Sequence, residues 1–167
     1  DGYRKLARKS FVCGDGTMSV ISSQDGYIVQ WRSDEKYSTT TTLEARNASS
    51  NVGNTRKSYI KFDLDELDAE EIESVELSLN AAVKPESAAD VVEIVLYSIF
   101  DDSWDEETLT SRTKPYLEEP IASIKVSGSM TEYSIDFTNY IKSRLSKGNS
   151  ASIGIEAKTT DGYVYLY

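Results

Sequence analysis

Short runs in which apolar and polar residues alternate recur along this chain, and they restrict its fold more than any other feature. The segment 59–64, YIKFDL, shows the pattern clearly. Its inward set is Ile60, Phe62 and Leu64, and its outward set is Tyr59, Lys61 and Asp63. Successive side chains of a strand point to opposite faces of the sheet, so a period of two residues indicates a half-buried antiparallel strand.

Nine such segments, separated by polar turns, predict an all-β fold: a two-sheet antiparallel β-sandwich, jelly-roll-like, with one short helix. The segments are 27–31, 41–46, 59–64, 75–81, 91–100, 121–127, 132–137, 152–157 and 163–167. The run 91–100, VVEIVLYSIF, is apolar on both faces and is predicted to be a central strand. The helix is predicted in 138–148, with Thr138 as its N-cap and Gly148 at its end, and a weaker helical turn in 67–73.

The length and hydropathy of the chain predict one domain. Its 167 residues are enough to bury a substantial core. Residues 19–167 are predicted to form the sandwich, and residues 1–18 a linker from a preceding module or an extra edge strand. No apolar run approaches the roughly 20 residues of a membrane span, so none is expected. The first residues lack the apolar core of a signal peptide, and we expect the chain to be a piece of a larger protein.

The composition excludes several classes of function. A net charge of −10 argues against general nucleic-acid binding, which needs a field that attracts phosphates. One cysteine, Cys13, excludes an internal disulfide framework. The absence of histidine removes the commonest general base and the usual zinc ligand, which leaves carboxylate chemistry and oxygen-ligated calcium.

The order of the motifs gives the chain a family resemblance. The motifs are DGYIVQW, TTLEAR, RKSYIKFDLDEL, SVELSL, WDEETLTSRTKP, IDFTNYIKSRLSKGN and SIGIEA. Over roughly residues 19–167 this series resembles the DNRLRE domain, also classed among family 96 carbohydrate-binding modules. Ser111 departs from the family pattern, which has a second tryptophan there. The resemblance implies a non-catalytic β-sandwich that binds a polysaccharide and is attached to catalytic or other domains of a bacterial or archaeal protein, secreted or on the cell surface.

Two aromatic residues are candidates for stacking on a sugar ring. Trp31 stands where a strand runs into the polar loop RSDEKYSTTTT, and Tyr37 lies within that loop, so together they could form a platform. The alternative places Trp31 in the core and Tyr37 in solvent, and for Trp31 we prefer the core position. Trp104, in DDSWDEET, is interpreted as a structural anchor.

A basic cluster supplies the remaining candidates. Its members are Arg46, Arg56, Lys57 and Lys61, with Tyr59 on the same strand. A guanidinium fork matches a carboxylate or sulfate, so these residues could hold a uronic acid or a sulfated sugar. The alternative is that they balance neighbouring carboxylates on an exposed sheet face. Structural calcium is a further candidate, with Asp25 and Asp161 at Asp-Gly turns as ligands, although both residues also suit a turn.

Three hypotheses about function follow. The first is a non-catalytic carbohydrate-binding module that targets a polysaccharide. The second is a structural or adhesive cell-surface module that binds a protein through an apolar patch or an exposed edge strand. The third, a carboxylate glycosidase or a lyase that uses Tyr59 with Arg56 and Lys61, is the least favoured.

Overall fold

The computed structural model describes residues 7–13 and 16–167, and in that part the fold is all-β, as predicted. Strands make up 46% of the structure. The strands are β1 (Ala7–Cys13), β2 (Gly16–Ile21), β3 (Gln24–Val29), β4 (Leu43–Arg46), β5 (Arg56–Asp63), β6 (Ile72–Val83), β7 (Val91–Ile99), β8 (Pro120–Ser127), β9 (Thr131–Asp136), β10 (Ser150–Ala157) and β11 (Tyr163–Leu166). One α-helix, α1 (Thr138–Leu145), and a 3-10 turn (Val52–Asn54) complete the described elements.

Hydrogen bonds join these strands into one antiparallel sheet that nearly closes into a barrel. The order is β2-β1-β6-β11-β4-β5-β10-β7-β8, with β3 also paired to β5 and β9 to β6. A single residue pair, Arg46 opposite Arg56, connects β4 to β5. The two halves of the sheet therefore meet at this corner. The expected separation into two sheets stays a prediction, whereas the central position of β7, between β10 and β8, is confirmed.

Both faces of β5 are buried around Tyr59, which corrects one expectation. Ile60, Phe62 and Leu64 enter the main core, as predicted. Tyr59 was expected to point outward to solvent, but it is fully buried in a second cluster with Ile28, Ile99, Trp104 and Leu109. The long connection 100–119 covers this outer face. Alternation along one strand predicts two faces, but it does not reveal that a distant loop covers the second.

Glycines let the covering loop approach the sheet. Gly26 and Gly154 lie opposite Tyr59 on the strands to either side of it. A Cβ at Gly154 would overlap the Leu117 side chain, and one at Gly26 would lie 3.2 Å from Leu109. Side chains of the loop thus occupy the space that these two glycines leave.

The predicted helix is confirmed, but two details of it are wrong. Phe137, not Thr138, is the N-cap, and its side chain makes no capping bond. The Thr138 hydroxyl instead accepts a 2.9 Å hydrogen bond from the backbone N–H of Val75, which ties the helix to β6. The helix ends at Leu145, before Gly148. The weaker helical turn at 67–73 is also wrong, because turns lead directly into β6 at Ile72.

The segment 1–18 lies partly outside the described residues. Of that segment, Ala7–Cys13 forms β1, which pairs with β6, and β2 spans the predicted boundary at residue 19. The division into 1–18 and 19–167 stays a prediction. Within the described chain, no helix is long and apolar enough to cross a membrane.

Candidate functional site

A groove of about 330 Å³ lies at the corner where β4 meets β5. The loops that follow β3 and β4 and the ends of β5 and β10 line it. The lining residues are Gln30, Trp31, Arg46, Asn47, Val52, Thr55, Arg56, Lys57, Glu156, Ala157 and Lys158. The structure thus brings together four of the predicted site residues: Trp31, Arg46, Arg56 and Lys57.

Trp31 is the exposed aromatic of this groove. Its side chain is 69% exposed, so the preference for a core position was wrong. One face of the indole lies against Gly53, where a Cβ would come closer than 3.0 Å to three ring atoms. The backbone N–H of Trp31 also donates a 3.1 Å hydrogen bond to the carbonyl of Gly53. The protein therefore fixes the ring and leaves much of it open to solvent.

Beneath the groove lies a buried charged cluster around Glu44. Its carboxylate accepts hydrogen bonds from Lys84 Nζ at 2.9 Å, from the Tyr163 hydroxyl at 2.5 Å, and from the Arg56 guanidinium. Both Glu44 and Lys84 are 7% exposed. The ammonium of Lys84 lies 4.1 Å from the centre of the Tyr163 ring, which adds a cation–π contact. Glu44 thus positions Arg56 at the floor of the groove.

Arg46 completes the floor without a carboxylate partner of its own. Its guanidinium lies over the Tyr163 ring, 5.0 Å from the centroid. None of the ion pairs found in residues 18–167 includes Arg46, and its buried Nε has no hydrogen-bond partner there. The Nε of Arg56 is also buried and unpaired in that part of the chain. Donors of this kind are normally satisfied, so they indicate capacity for an acceptor.

The opposite wall carries a carboxylate shared by two lysines. Glu156 pairs with Lys57, its cross-strand neighbour, and with Lys158 at 2.5 Å. Burial raises the pKa of Glu156. Hydrogen bonds and charge from the two lysines together lower it by more, so the pKa lies below its ordinary value. Glu156 is therefore charged at neutral pH.

Positive charge is in excess around the groove. Four cations, Arg56, Lys57, Lys84 and Lys158, share the two carboxylates Glu44 and Glu156, and Arg46 adds a fifth positive charge that pairs with neither. Asp161 acts on Arg46 at longer range, since the charge of Arg46 lowers the pKa of Asp161, but Ser49 donates to both of its oxygens. On a protein of net charge −10, this corner is locally suited to an anionic ligand.

Comparison with protein families decides the class of ligand. The family model for carbohydrate-binding module family 96 matches residues 16–167. The chain belongs to this family. A search of curated proteins finds no match to the chain. Modules of such families are generally non-catalytic binding domains, and a family 96 module is a carbohydrate-binding module.

Three predicted site residues of the family 96 module lie away from the groove. Tyr59 is 0% exposed, so its assignment to ligand binding was wrong: a fully buried ring cannot stack on a sugar. Lys61, half-buried, donates to the backbone carbonyl of Trp104 and lies four residues, or about 13 Å, along β5 from Lys57. Tyr37 stacks on Tyr27 with ring centroids 4.6 Å apart and lines no part of the groove.

Trp104 is a structural anchor, as predicted. It is 7% exposed, and its indole N–H donates a 3.0 Å hydrogen bond to Ser152 Oγ. Its ring packs edge-on against Tyr59 with centroids 6.2 Å apart. The two tryptophans of the module therefore have opposite environments, one buried and one exposed.

Sequence reasoning missed Gln30, Asn47 and Lys158. Asn47 Nδ2 donates a 3.0 Å hydrogen bond to the carbonyl of Lys158, which joins two loops at the groove. Each of these residues directly follows a strand of the structure: β3, β4 and β10 respectively. The signal that could have found them is a polar or basic residue at the ends of neighbouring strands, but recognising it requires the strand order.

The candidate calcium ligands make hydrogen bonds within the protein. Asp25 accepts from Ser22 Oγ at 3.2 Å, and Asp161 holds Ser49. No group of three acidic, histidine or cysteine residues is arranged for a metal ion in the described residues. Structural calcium stays a prediction.

Proposed function

We propose that this module binds an acidic polysaccharide, recognises uronic acid residues in the corner groove, and holds an attached domain on that polymer. The observation that carries the proposal is the excess of cations with an unpaired Arg46 beside the exposed face of Trp31. The two features match the two parts of a uronic acid. A pyranose ring has an apolar face, and its carboxylate carries the charge.

Trp31 supplies the stacking surface. Its ring is already held by Gly53, so that little side-chain entropy is lost on binding. Thr55, Gln30 and Asn47 line the same groove and offer polar groups to sugar hydroxyls. This combination of one apolar platform with a few polar groups is typical of small-ligand sites.

Arg46 and Arg56 supply the charge recognition. A guanidinium presents donors in a fixed plane that suits the two oxygens of a carboxylate. Glu44 and Tyr163 already hold Arg56, and the Tyr163 ring supports Arg46. A lysine in either place would provide charge without this geometry.

The proposed role is binding rather than turnover. The lyase hypothesis required Tyr59 as a base, but burial raises the pKa of Tyr59, with a further contribution from the Glu156 charge. A buried hydroxyl of raised pKa is a poor base near neutral pH. A secreted or cell-surface bacterial or archaeal protein with further domains is the proposed context.

Isothermal titration calorimetry with polysaccharides tests the proposal. We expect binding to alginate or polygalacturonate, weakening as salt is added, and no binding to the neutral glucan laminarin. Because charge-assisted hydrogen bonds contribute about 1.5–3 kcal/mol, Arg46→Gln should weaken binding by roughly ten- to a hundredfold. Lys147→Gln, which removes an exposed lysine near the end of β10 that lies opposite the groove, is the control. Failure to bind any acidic polysaccharide would overturn the proposal.

A protein-binding role is the second candidate, and strand β2 favours it. Met18 and Ile21 of β2 are exposed, at 36% and 44%, and in the described sheet β2 pairs with β1 alone. Such an edge can accept a strand from another protein. The same glycan panel separates the candidates, since this one predicts no glycan binding.

A further inference from the structure

The segment 110–117 lies beside the groove, although none of its residues is among those that line the groove. Ser111 Oγ donates a 2.6 Å hydrogen bond to the carbonyl of Gln30, a groove residue. Lys114 Nζ donates a 2.6 Å hydrogen bond to the carbonyl of Ser111. Two hydrogen bonds therefore connect the groove residue Gln30, through Ser111, to the Lys114 ammonium.

Several contacts hold this segment in place. The Thr113 hydroxyl donates to the carbonyl of Thr108 at 2.6 Å and accepts from the N–H of Thr110 at 3.0 Å. Pro115 is buried, and Leu117 packs into the space at Gly154. A surface that is fixed before binding loses less entropy when a ligand arrives.

Tyr116 lies between these anchors and is 86% exposed, the largest value among the exposed apolar and aromatic residues of the described chain. Single exposed aromatics are common and need no explanation by themselves. This one, however, lies one residue from buried Pro115 and two from Lys114, on a segment whose backbone is fixed. Its position, rather than its exposure alone, makes it available to the part of a polysaccharide chain that extends beyond the groove.

Lys114 extends the positive charge of the groove. Burial lowers its pKa, and the nearby charge of Lys57 lowers it further. No carboxylate in residues 18–167 forms an ion pair with Lys114. Two lysines with like charge therefore lie close together: Lys57 in the groove and Lys114 on the segment 110–117. A polyuronate carries a charge on every sugar, so its next residue could offset this repulsion.

We propose that the binding site continues from the groove onto the segment 110–117, where Lys114 and Tyr116 contact a second uronic acid residue of the same polysaccharide chain. The proposal rests on the function proposed above and adds a second subsite to it. Lys114 pairs with the carboxylate of the second sugar, and Tyr116 contacts its ring. The module then binds the interior of a polymer better than a short fragment of it.

Calorimetry with uronate ligands of two lengths tests this subsite. The probes are the monosaccharides and hexasaccharides of mannuronic and of galacturonic acid, titrated into wild type and Tyr116→Ala. We expect Tyr116→Ala to weaken hexasaccharide binding by about two- to tenfold, the effect of one aromatic contact, and to leave monosaccharide binding unchanged, because a single sugar fills the groove alone. Phe100→Ala, at an exposed aromatic beyond the far end of β7, is the matched control and should change neither affinity.

Each outcome decides between the two proposals. A longer oligosaccharide offers more registers to a single subsite, so only the difference between Tyr116→Ala and wild type counts. If Tyr116→Ala leaves hexasaccharide binding unchanged, or weakens both lengths equally, the second subsite is wrong while the groove stands. If wild type binds neither length, both proposals are overturned. Urea unfolding of the variant confirms that it is folded.

Discussion

The indole ring of Trp31 lies on Gly53 with no room for a methyl group between them. Gly53 is buried in the centre of the 3-10 turn Val52–Asn54, and its carbonyl also accepts the N–H of Trp31. The turn therefore holds both the backbone and the ring of a residue whose other face is open. This arrangement explains how an exposed tryptophan can be ordered before a ligand binds.

Gly53→Ala should weaken carbohydrate binding without touching the ligand. The added methyl group would displace the Trp31 ring from its place on the turn, and the ring can move toward solvent because it is mostly exposed. We expect binding to weaken by about two- to tenfold, approaching the effect of Trp31→Ala, with a stability loss of about 1 kcal/mol or less. Calorimetry measures the first quantity and urea unfolding the second. If Gly53→Ala binds as tightly as wild type, the Trp31 platform does not contribute.

Glu44→Gln should be among the most destabilising conservative changes in the chain. The substitution keeps the shape of the side chain but removes the charge that Lys84 and Arg56 share in a buried site. Leaving buried cations unpaired is expected to lower the free energy of unfolding by about 3–5 kcal/mol.

Glu35→Gln provides the control for this prediction. Glu35 is also paired, with Arg32 and Tyr37, but it is exposed, so the loss of its charge should change stability far less than the loss of the Glu44 charge. Urea unfolding of both variants gives the comparison. Equal effects would show that the Glu44 cluster is not the anchor that its burial indicates.

Local alternation predicted the inner face of β5 and failed on the outer face. Ile60, Phe62 and Leu64 are core because a period of two residues forces them to one side. The burial of Tyr59 depends on the connection 100–119, which is distant in sequence and packs on the outer face of the sheet. Sequence periodicity contains no information about this layer, although the position of Trp104 as a buried anchor was predicted correctly.

Sequence reasoning predicted part of the lining of the groove. A basic cluster and one tryptophan were candidates for ligand binding, and Trp31, Arg46, Arg56 and Lys57 do line one groove. Consecutive residues such as Arg56 and Lys57 point to opposite faces of a strand, and they share a site here because the groove lies across strand ends at the sheet corner. Lys158 joins them through strand pairing, which the sequence does not show.

Gly154→Ala should destabilise the fold by crowding the covering loop. A Cβ at this position would overlap Leu117 Cδ2, the end of a flexible side chain, so partial relaxation is expected. We predict a loss of about 1–3 kcal/mol in the free energy of unfolding, as for overpacking in other cores. Gly148→Ala is the matched control, since nothing lies within 4 Å of its Cβ position. If both variants unfold at the same urea concentration as wild type, the loop is not packed as described.

The carboxylate of Asp161 should contribute to stability in a pH-dependent way. Hydrogen bonds from the Ser49 hydroxyl and backbone N–H lower its pKa from the ordinary value of 3.8, and the charge of Arg46 lowers it further. Because the folded-state pKa is below the unfolded one, the contribution is fully present above 3.8 and is lost as the pH falls through the lowered pKa. Through Ser49 this carboxylate fixes the loop that leads to Gly53.

Asp161→Asn isolates that contribution. Asparagine tolerates the positive φ of 55° at this position but cannot carry the charge. We expect the variant to be less stable than wild type at neutral pH and the gap to narrow as the pH is lowered below 3.8. Asp101 and Asp136 also have lowered pKa values, but they titrate identically in both proteins and cancel in the difference. Urea unfolding at a series of pH values measures the gap, and a gap that stays constant into acid would show that the Asp161 charge does not hold the loop.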